Sequence, residues 1–191
     1  MSKRLFISGI PTAGKSYLAK KLAEEVGGIV VSVDDIREIL CEENELYKKW
    51  VNFYSDQDEY TYYTTTTREK QWENIKRQSE ELWPGILEHC KQYEHETKPI
   101  IFEGVNIFPH LAYKDFDFPG VILLGSSFEE TFKRNKESPR WGETEELQKM
   151  ESEWFFYGER PRYKEEGEKH GYPVFEKVED AFSTGLDLLR L

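Results

Sequence analysis

The sequence predicts an α/β fold of the doubly wound type, and three observations carry that prediction. Five short apolar runs recur along the chain: LFIS (5–8), GIVVSV (28–33), PIIFEGV (99–105), GVILLGS (120–126) and YPVFEKV (172–178). Amphipathic helical patterns separate them. A glycine-bracketed stretch, GIPTAGKS (9–16), sits at the seam between the first run and the first helical pattern. Strands alternating with helices build a parallel sheet covered on both faces.

The first strand is read from LFIS, whose apolar content suits a strand buried on both faces. The loop that follows resolves into GxxxxGK[ST]. A helix N-terminus offers unpaired N–H groups and partial positive charge, and a glycine loop ahead of it wraps more N–H groups around one anion. Lys15 adds a full charge for β- and γ-phosphates, and the Ser16 hydroxyl is a ligand for Mg²⁺. In this strand-to-helix setting the motif reads as a nucleoside-triphosphate cradle. Its nucleotide-binding candidates are Gly9, Thr12, Ala13, Gly14, Lys15, Ser16 and Tyr17. Pro11 has no N–H, so the cradle relies on residues 12 to 16. Thr12 and Ala13 stand where many such loops carry Gly, so the backbone there is expected to avoid positive φ. In the helix that follows, Leu18, Leu22 and Val26 recur every four residues, and Gly27 and Gly28 stop it.

The second strand ends in VSVDDIRE. In a phosphotransferase an acid at this point accepts the proton of an attacking hydroxyl, and an arginine binds the acceptor or a phosphate. A helix cap is the alternative use of the acids. Asp34 and Arg37 are the functional candidates, and Asp35 is assigned to the cap. A first insertion follows, residues 41–67, dense in rings (Tyr47, Trp50, Phe53, Tyr54, Tyr60, Tyr62, Tyr63) and in acids, with Asp56, Asp58 and Glu59. Such rings stack on a base, line a sugar pocket, or pack an extra helical unit.

Residues 68–96 have helical composition, with Trp72, Ile75, Leu82, Ile86 and Cys90 on one stripe, and Pro84 is expected to bend or break the helix. Glu103 ends the third strand, placed to hold Mg²⁺ through water, to orient an acceptor, or to be a buried acid satisfied by nearby donors. Asn106 is either an acceptor-site group or a turn residue. A second insertion, 134–170, follows the fourth strand and carries Arg134, Arg140, Arg160 and Arg162, with Lys133 and Lys136 read as solvated. Both insertions lie after strand ends, the side where open α/β sheets bind ligands. EDAFSTGLDLLRL reads as a final amphipathic helix.

The 191 residues suit one domain. No apolar run approaches the roughly 20 residues of a membrane span, and the N-terminus lacks the apolar stretch of a secretory signal, so the expectation is a cytoplasmic protein. Cys41 and Cys90 form no close pair and point to reduced thiols, and the four histidines have no metal-ligand spacing. The net charge of −11 disfavours broad nucleic-acid binding.

GIPTAGKS, then DDIR, then KRNKESPR together resemble the P-loop kinases that include polynucleotide 5′-hydroxyl kinase, zeta toxins and chloramphenicol phosphotransferase. IIFEGVNIFP is similar to 2-phosphoglycerate kinase and uridine kinase-like proteins. The resemblance covers the core strands and the start of a lid. It implies a three-layer, five-stranded parallel sheet in order 2-3-1-4-5, in a single P-loop kinase domain over 1–191. That domain would carry an acceptor-side helical insertion at about 41–67 and a lid at about 134–165. The first Asp of DDxR, here Asp34, is then the general base, and Arg37 helps hold the acceptor. Arg134 and Arg140 belong to a lid that closes over the transferring phosphate. The expectation is an ATP- and Mg²⁺-dependent kinase acting on a small-molecule hydroxyl of nucleoside, sugar or phosphoglycerate type. The rivals are a 5′-hydroxyl polynucleotide kinase and a P-loop nucleotide switch. The long aromatic insertion leaves the acceptor open, and neither ATP over GTP nor the oligomeric state is legible.

Overall fold

The computed structural model describes residues 3–50 and 57–190. Five parallel strands, β1 (Arg4–Gly9), β2 (Ile29–Ser32), β3 (Ile100–Glu103), β4 (Gly120–Leu123) and β5 (Val174–Phe175), form a sheet in order 2-3-1-4-5. β1 is central. It pairs Arg4 with Ile100 on one side and Phe6 with Gly120 on the other. Its residues 5–9 are buried, because helices cover both faces.

The helices of the described residues are α1 (Lys15–Val26), α2 (Val33–Glu43), α3 (Glu59–Thr65), α4 (Arg68–Lys91), α5 (Pro109–Asp115), α6 (Phe128–Glu137), α7 (Glu145–Glu153), α8 (Arg160–Lys169) and α9 (Val178–Arg190). A 3₁₀ turn spans Lys48–Trp50, and a π-helical turn, Trp154–Glu159, joins α7 to α8. Every apolar run read from the sequence contains a strand, yet most strands are shorter than their runs. The last is reduced to Val174–Phe175, an edge pair bonded to β4 alone, since Val178 already starts α9.

Local chemistry sets the helix ends. α1 stops at Gly27, whose φ of +64° only glycine adopts cheaply. α2 begins three residues earlier than a cap at Asp35 implies. Its cap is Ser32, whose Oγ accepts the Asp35 N–H at 3.1 Å, so Asp35 is not the cap. Asp34 and Asp35 lie in the first turn, where the helix dipole favours acids.

α4 runs unbroken through Pro84, against expectation. Pro84 is exposed, so the carbonyl it frees one turn back, at exposed Glu80, faces water. On the opposite side Leu82, Trp83 and Ile86 are buried, and Trp83 Nε1 donates to Asp115 Oδ2 at 2.8 Å. Packing thus carries the helix on through the missing bond, so the break does not occur.

In the first insertion α2 extends to Glu43, and Cys41 belongs to it. Tyr62 and Tyr63 of α3 pack with Trp154 in a small second core, with ring centroids 5.8 and 5.4 Å from the tryptophan. These rings, with Trp50, are buried as packing, while Tyr60 is exposed. Phe53, Tyr54 and Asp56 lie outside the described residues. Both cysteines are free and buried. Among the described residues no helix is long and apolar enough to cross a membrane, and no group of three donors suits a metal.

Candidate active site

The loop from Gly9 to Ser16 leaves the C-terminal end of β1 and turns into α1. Gly9, at φ +131°, is irreplaceable on steric grounds: a Cβ there would lie 1.9 Å from the Leu123 carbonyl oxygen. Thr12 has φ +60°, which corrects the expectation that this position avoids the left-handed region. The reason is the clamp on its carbonyl, which accepts Arg134 Nη1 at 3.1 Å. That bond offsets a strain of about 1–2 kcal/mol for a non-glycine residue in the left-handed region.

Lys15 is buried and donates from Nζ to the Ile10 carbonyl at 2.7 Å. Burial lowers its pKa to about 8, while the charges of Asp34 and Glu103 pull it back up. Ser16 donates from Oγ to Glu103 Oε1 at 3.0 Å. Burial raises the Glu103 carboxyl above its ordinary value, against the pull of Lys15 and the Ser16 bond. Asp34 is half-buried, and its Oδ1 accepts the Val105 N–H at 3.2 Å. Gly104 makes this approach possible, because a Cβ there would stand 3.1 Å from the same Oδ1.

A cleft of about 170 Å³ gathers Thr12, Lys15, Ser16, Asp34, Glu103, Arg134 and Arg140. The structure therefore brings together five separate stretches of sequence. Arg134 also lines an adjoining recess with Tyr17 and Val178, so it stands between that recess and the cleft. Its Nε is held by Glu130 Oε1 at 2.9 Å.

Arg37 lies one turn after Asp34 on α2 and is mostly buried. It reaches Asn106 Oδ1 and Glu38 Oε1, each at 3.5 Å. Asn106 is fully buried and anchored on α4, donating to Ser79 Oγ at 2.8 Å and Gln78 Oε1 at 3.1 Å. It sits in the turn after β3, as the alternative reading had it, and also supports Arg37. Arg160 bonds the Gly125 carbonyl and pairs with Glu176, and Arg162 pairs with Glu69 at 3.7 Å, so neither joins the cleft. Lys133 and Lys136 pair with surface acids, as expected.

Sequence reasoning missed Glu159 and Tyr163. Glu159 is buried at 2 % exposure with Oε2 unbonded, and burial raises it to about 8 against the attraction of Lys15. Tyr163 is fully buried and donates to the Val105 carbonyl at 2.5 Å, tying α8 to the residue that bonds Asp34. Nothing in the charged run GERPRYKEE marks either as buried, because the π turn breaks the 3.6-residue period that would reveal an inward face.

No protein-family model matches the sequence, and no curated relative does. Solved structures do match. TT1252 from Thermus thermophilus is 19 % identical, with 97 % of each chain covered and a TM-score of 0.56. A shikimate kinase from Bacteroides thetaiotaomicron is 16 % identical, with 99 % of each chain covered and a TM-score of 0.52. A gluconokinase from Sinorhizobium meliloti is 14 % identical over 98 % of this chain and 91 % of its own, with a TM-score of 0.52. With the strand order and the loop geometry, these likenesses identify the fold as that of the P-loop nucleoside and small-molecule kinases.

Proposed function

We propose that the chain is an ATP- and Mg²⁺-dependent kinase that transfers the γ-phosphate to a hydroxyl of a small molecule. The observation that carries this reading is the single cleft shared by Lys15, Ser16, Asp34, Glu103 and Arg140. Cations for a phosphate and a carboxylate for a hydroxyl proton meet there, as phosphoryl transfer requires.

Loop amides and Lys15 hold the β- and γ-phosphates. The recess beside Tyr17 and Val178, bordered by Arg134, receives the base. Arg140 adds positive charge against the equatorial phosphate oxygens. Asp34 orients the acceptor hydroxyl and takes its proton, with Val105 N–H fixing one carboxylate oxygen and leaving the other for the substrate. Arg37, braced by Asn106, holds the acceptor. Ser16 and Glu103 present hard oxygen donors 3.0 Å apart beside the loop, a donor set that fits Mg²⁺. When bound, the ion neutralises charge on the phosphate oxygens.

The test is ADP release from magnesium-ATP with and without pooled nucleosides, sugar phosphates, glycerate phosphates, aminoglycosides and a 5′-hydroxyl oligonucleotide. One pool should raise the rate. Asp34→Asn should keep nucleotide binding and lose about 100- to 10,000-fold of the acceptor-dependent rate. Strong residual transfer in that variant would defeat the base assignment, and a slow rate that no pool accelerates would favour a nucleotide switch.

A further inference from the structure

The buried residues after β3, 104–107, are tied to β1 at both ends. The Gly104 N–H donates to the Ile7 carbonyl at 3.2 Å, and the Ser8 hydroxyl donates to the Ile107 carbonyl. Between those ends, two consecutive residues face α2. The Val105 N–H meets Asp34 Oδ1, and Asn106 Oδ1 accepts Arg37 Nη1. Asp34 and Arg37, a turn apart on α2, are thus held by neighbours in one short turn.

Each of the two neighbours has its own anchor. The Val105 carbonyl accepts the hydroxyl of Tyr163, which is fully buried on α8. The Tyr163 ring packs on Trp72 and Phe108, with centroids 5.3 and 5.2 Å away. Asn106 is anchored on α4 instead, where its Nδ2 donates to Ser79 Oγ and Gln78 Oε1. The Ser79 hydroxyl proton goes to the Ile75 carbonyl at 2.9 Å, and Gln78 Nε2 donates to the Trp50 carbonyl at 2.6 Å. A hydroxyl has one proton and an amide one donor end, so this chain admits a single orientation of both amides. Asn106 therefore presents its oxygen, never its NH₂, to Arg37. Tyr163, Gln78 and Ser79 do not themselves line the cleft.

We propose that Tyr163 and Gln78 are positioning residues with separate tasks. Tyr163, through Val105, aims the carboxylate of Asp34, and Gln78, through Asn106, aims the guanidinium of Arg37. The proposal rests on the kinase reading for what Asp34 and Arg37 do. A misaimed base loses proton transfer in the transition state and leaves binding alone, so kcat falls. A misaimed binding arginine weakens ground state and transition state together, so the acceptor KM rises. Asn106 keeps its α4 anchors when the Tyr163 hydroxyl is removed, and Val105 keeps its α8 anchor when Gln78 is changed. The two losses therefore separate, which a merely structural role would not produce.

The experiment compares wild type with Tyr163→Phe and Gln78→Leu in acceptor-dependent kinetics, beside magnesium-ADP calorimetry and NMR of the Val105 amide and the Arg37 guanidinium. Tyr163→Phe should lower kcat about 10- to 100-fold at unchanged acceptor KM. It should also speed hydrogen exchange at the Val105 N–H. Gln78→Leu should raise the acceptor KM about tenfold at unchanged kcat. It should also free rotation of the Arg37 guanidinium while leaving Val105 exchange as it was. Both variants should bind magnesium-ADP as wild type does. If both variants change kcat and KM alike, or if neither NMR signal responds to its own variant, the division of tasks is overturned. If Gln78→Leu fails to fold, Ser79→Ala removes the other acceptor of Asn106 with little loss of volume. It should raise the acceptor KM and free the guanidinium, and no change in either overturns the Arg37 arm. The NMR signals need no turnover, so absent phosphoryl transfer would defeat the kinase reading while they still decide the positioning.

Discussion

Lys15 shows how far one side chain determines the site. Its ammonium is buried and has a backbone carbonyl as hydrogen-bond partner, with Asp34, Glu103 and Glu159 attracting it through space. Removing that charge leaves Asp34 and Glu103 facing the place where, on the proposed function, phosphates bind. Lys15→Met should therefore abolish nucleotide binding and turnover while the fold persists, checked by calorimetry with magnesium-ADP beside circular dichroism. Retained binding at wild-type affinity would sink the phosphate role. Thr12 and Arg134 make the complementary case, since the strained loop residue and its clamp are 122 positions apart. Lys15 was legible from its motif. The left-handed Thr12 was not, because its conformation depends on a bond to a distant arginine.

Among elements, the π turn at Trp154–Glu159 matters most for the site. It inserts extra residues between two helices and thereby turns Glu159 inward. That acid keeps its proton to about pH 8, whereas an unfolded glutamate loses it near pH 4.5. A raised carboxyl contributes stability that is full at low pH and lost as pH rises through its folded value. Glu159→Gln should thus match wild type in melting temperature at pH 5 and exceed it at pH 8.5. An identical gap at both values would show that the carboxyl does not titrate with folding. Strands, α1, α4 and α9 were readable because their apolar periods are regular and their ends carry Gly or strong turn residues. β5 and the lid were less so, since an edge strand of two residues and a π turn obey no long period. Pro84 misled for a related reason: its local penalty is real, but packing of Leu82, Trp83 and Ile86 overrides it.

At the scale of the whole molecule, the charge of −11 surrounds a cleft that, on the proposed function, attracts phosphates. The cations that serve it are local and few, and the surrounding field repels a long polyanion. Phosphorylation of the true acceptor should consequently change little between 50 and 200 mM salt, whereas a protein making 6–10 phosphate contacts with DNA would lose about 10³–10⁵ in affinity over that range. A steep salt dependence with an oligonucleotide acceptor would reverse this assignment. The sheet order and the glycine loop were visible in the motifs taken together, but the bracing of Arg37 by Asn106 and of the Val105 segment by Tyr163 arises only from tertiary packing.

The central position of β1 also bears on how the chain is born. Its neighbours on both sides are strands that begin at Ile100 and Gly120, and β2 likewise pairs with β3 alone. During synthesis from the N-terminus, β1 and β2 leave the ribosome with α1 to pack on but with no strand to pair with until the second half follows. The glycine loop is thus translated before the strands that flank it and assembled late, and the unfinished chain must be kept from pairing its exposed strand edges with those of another copy.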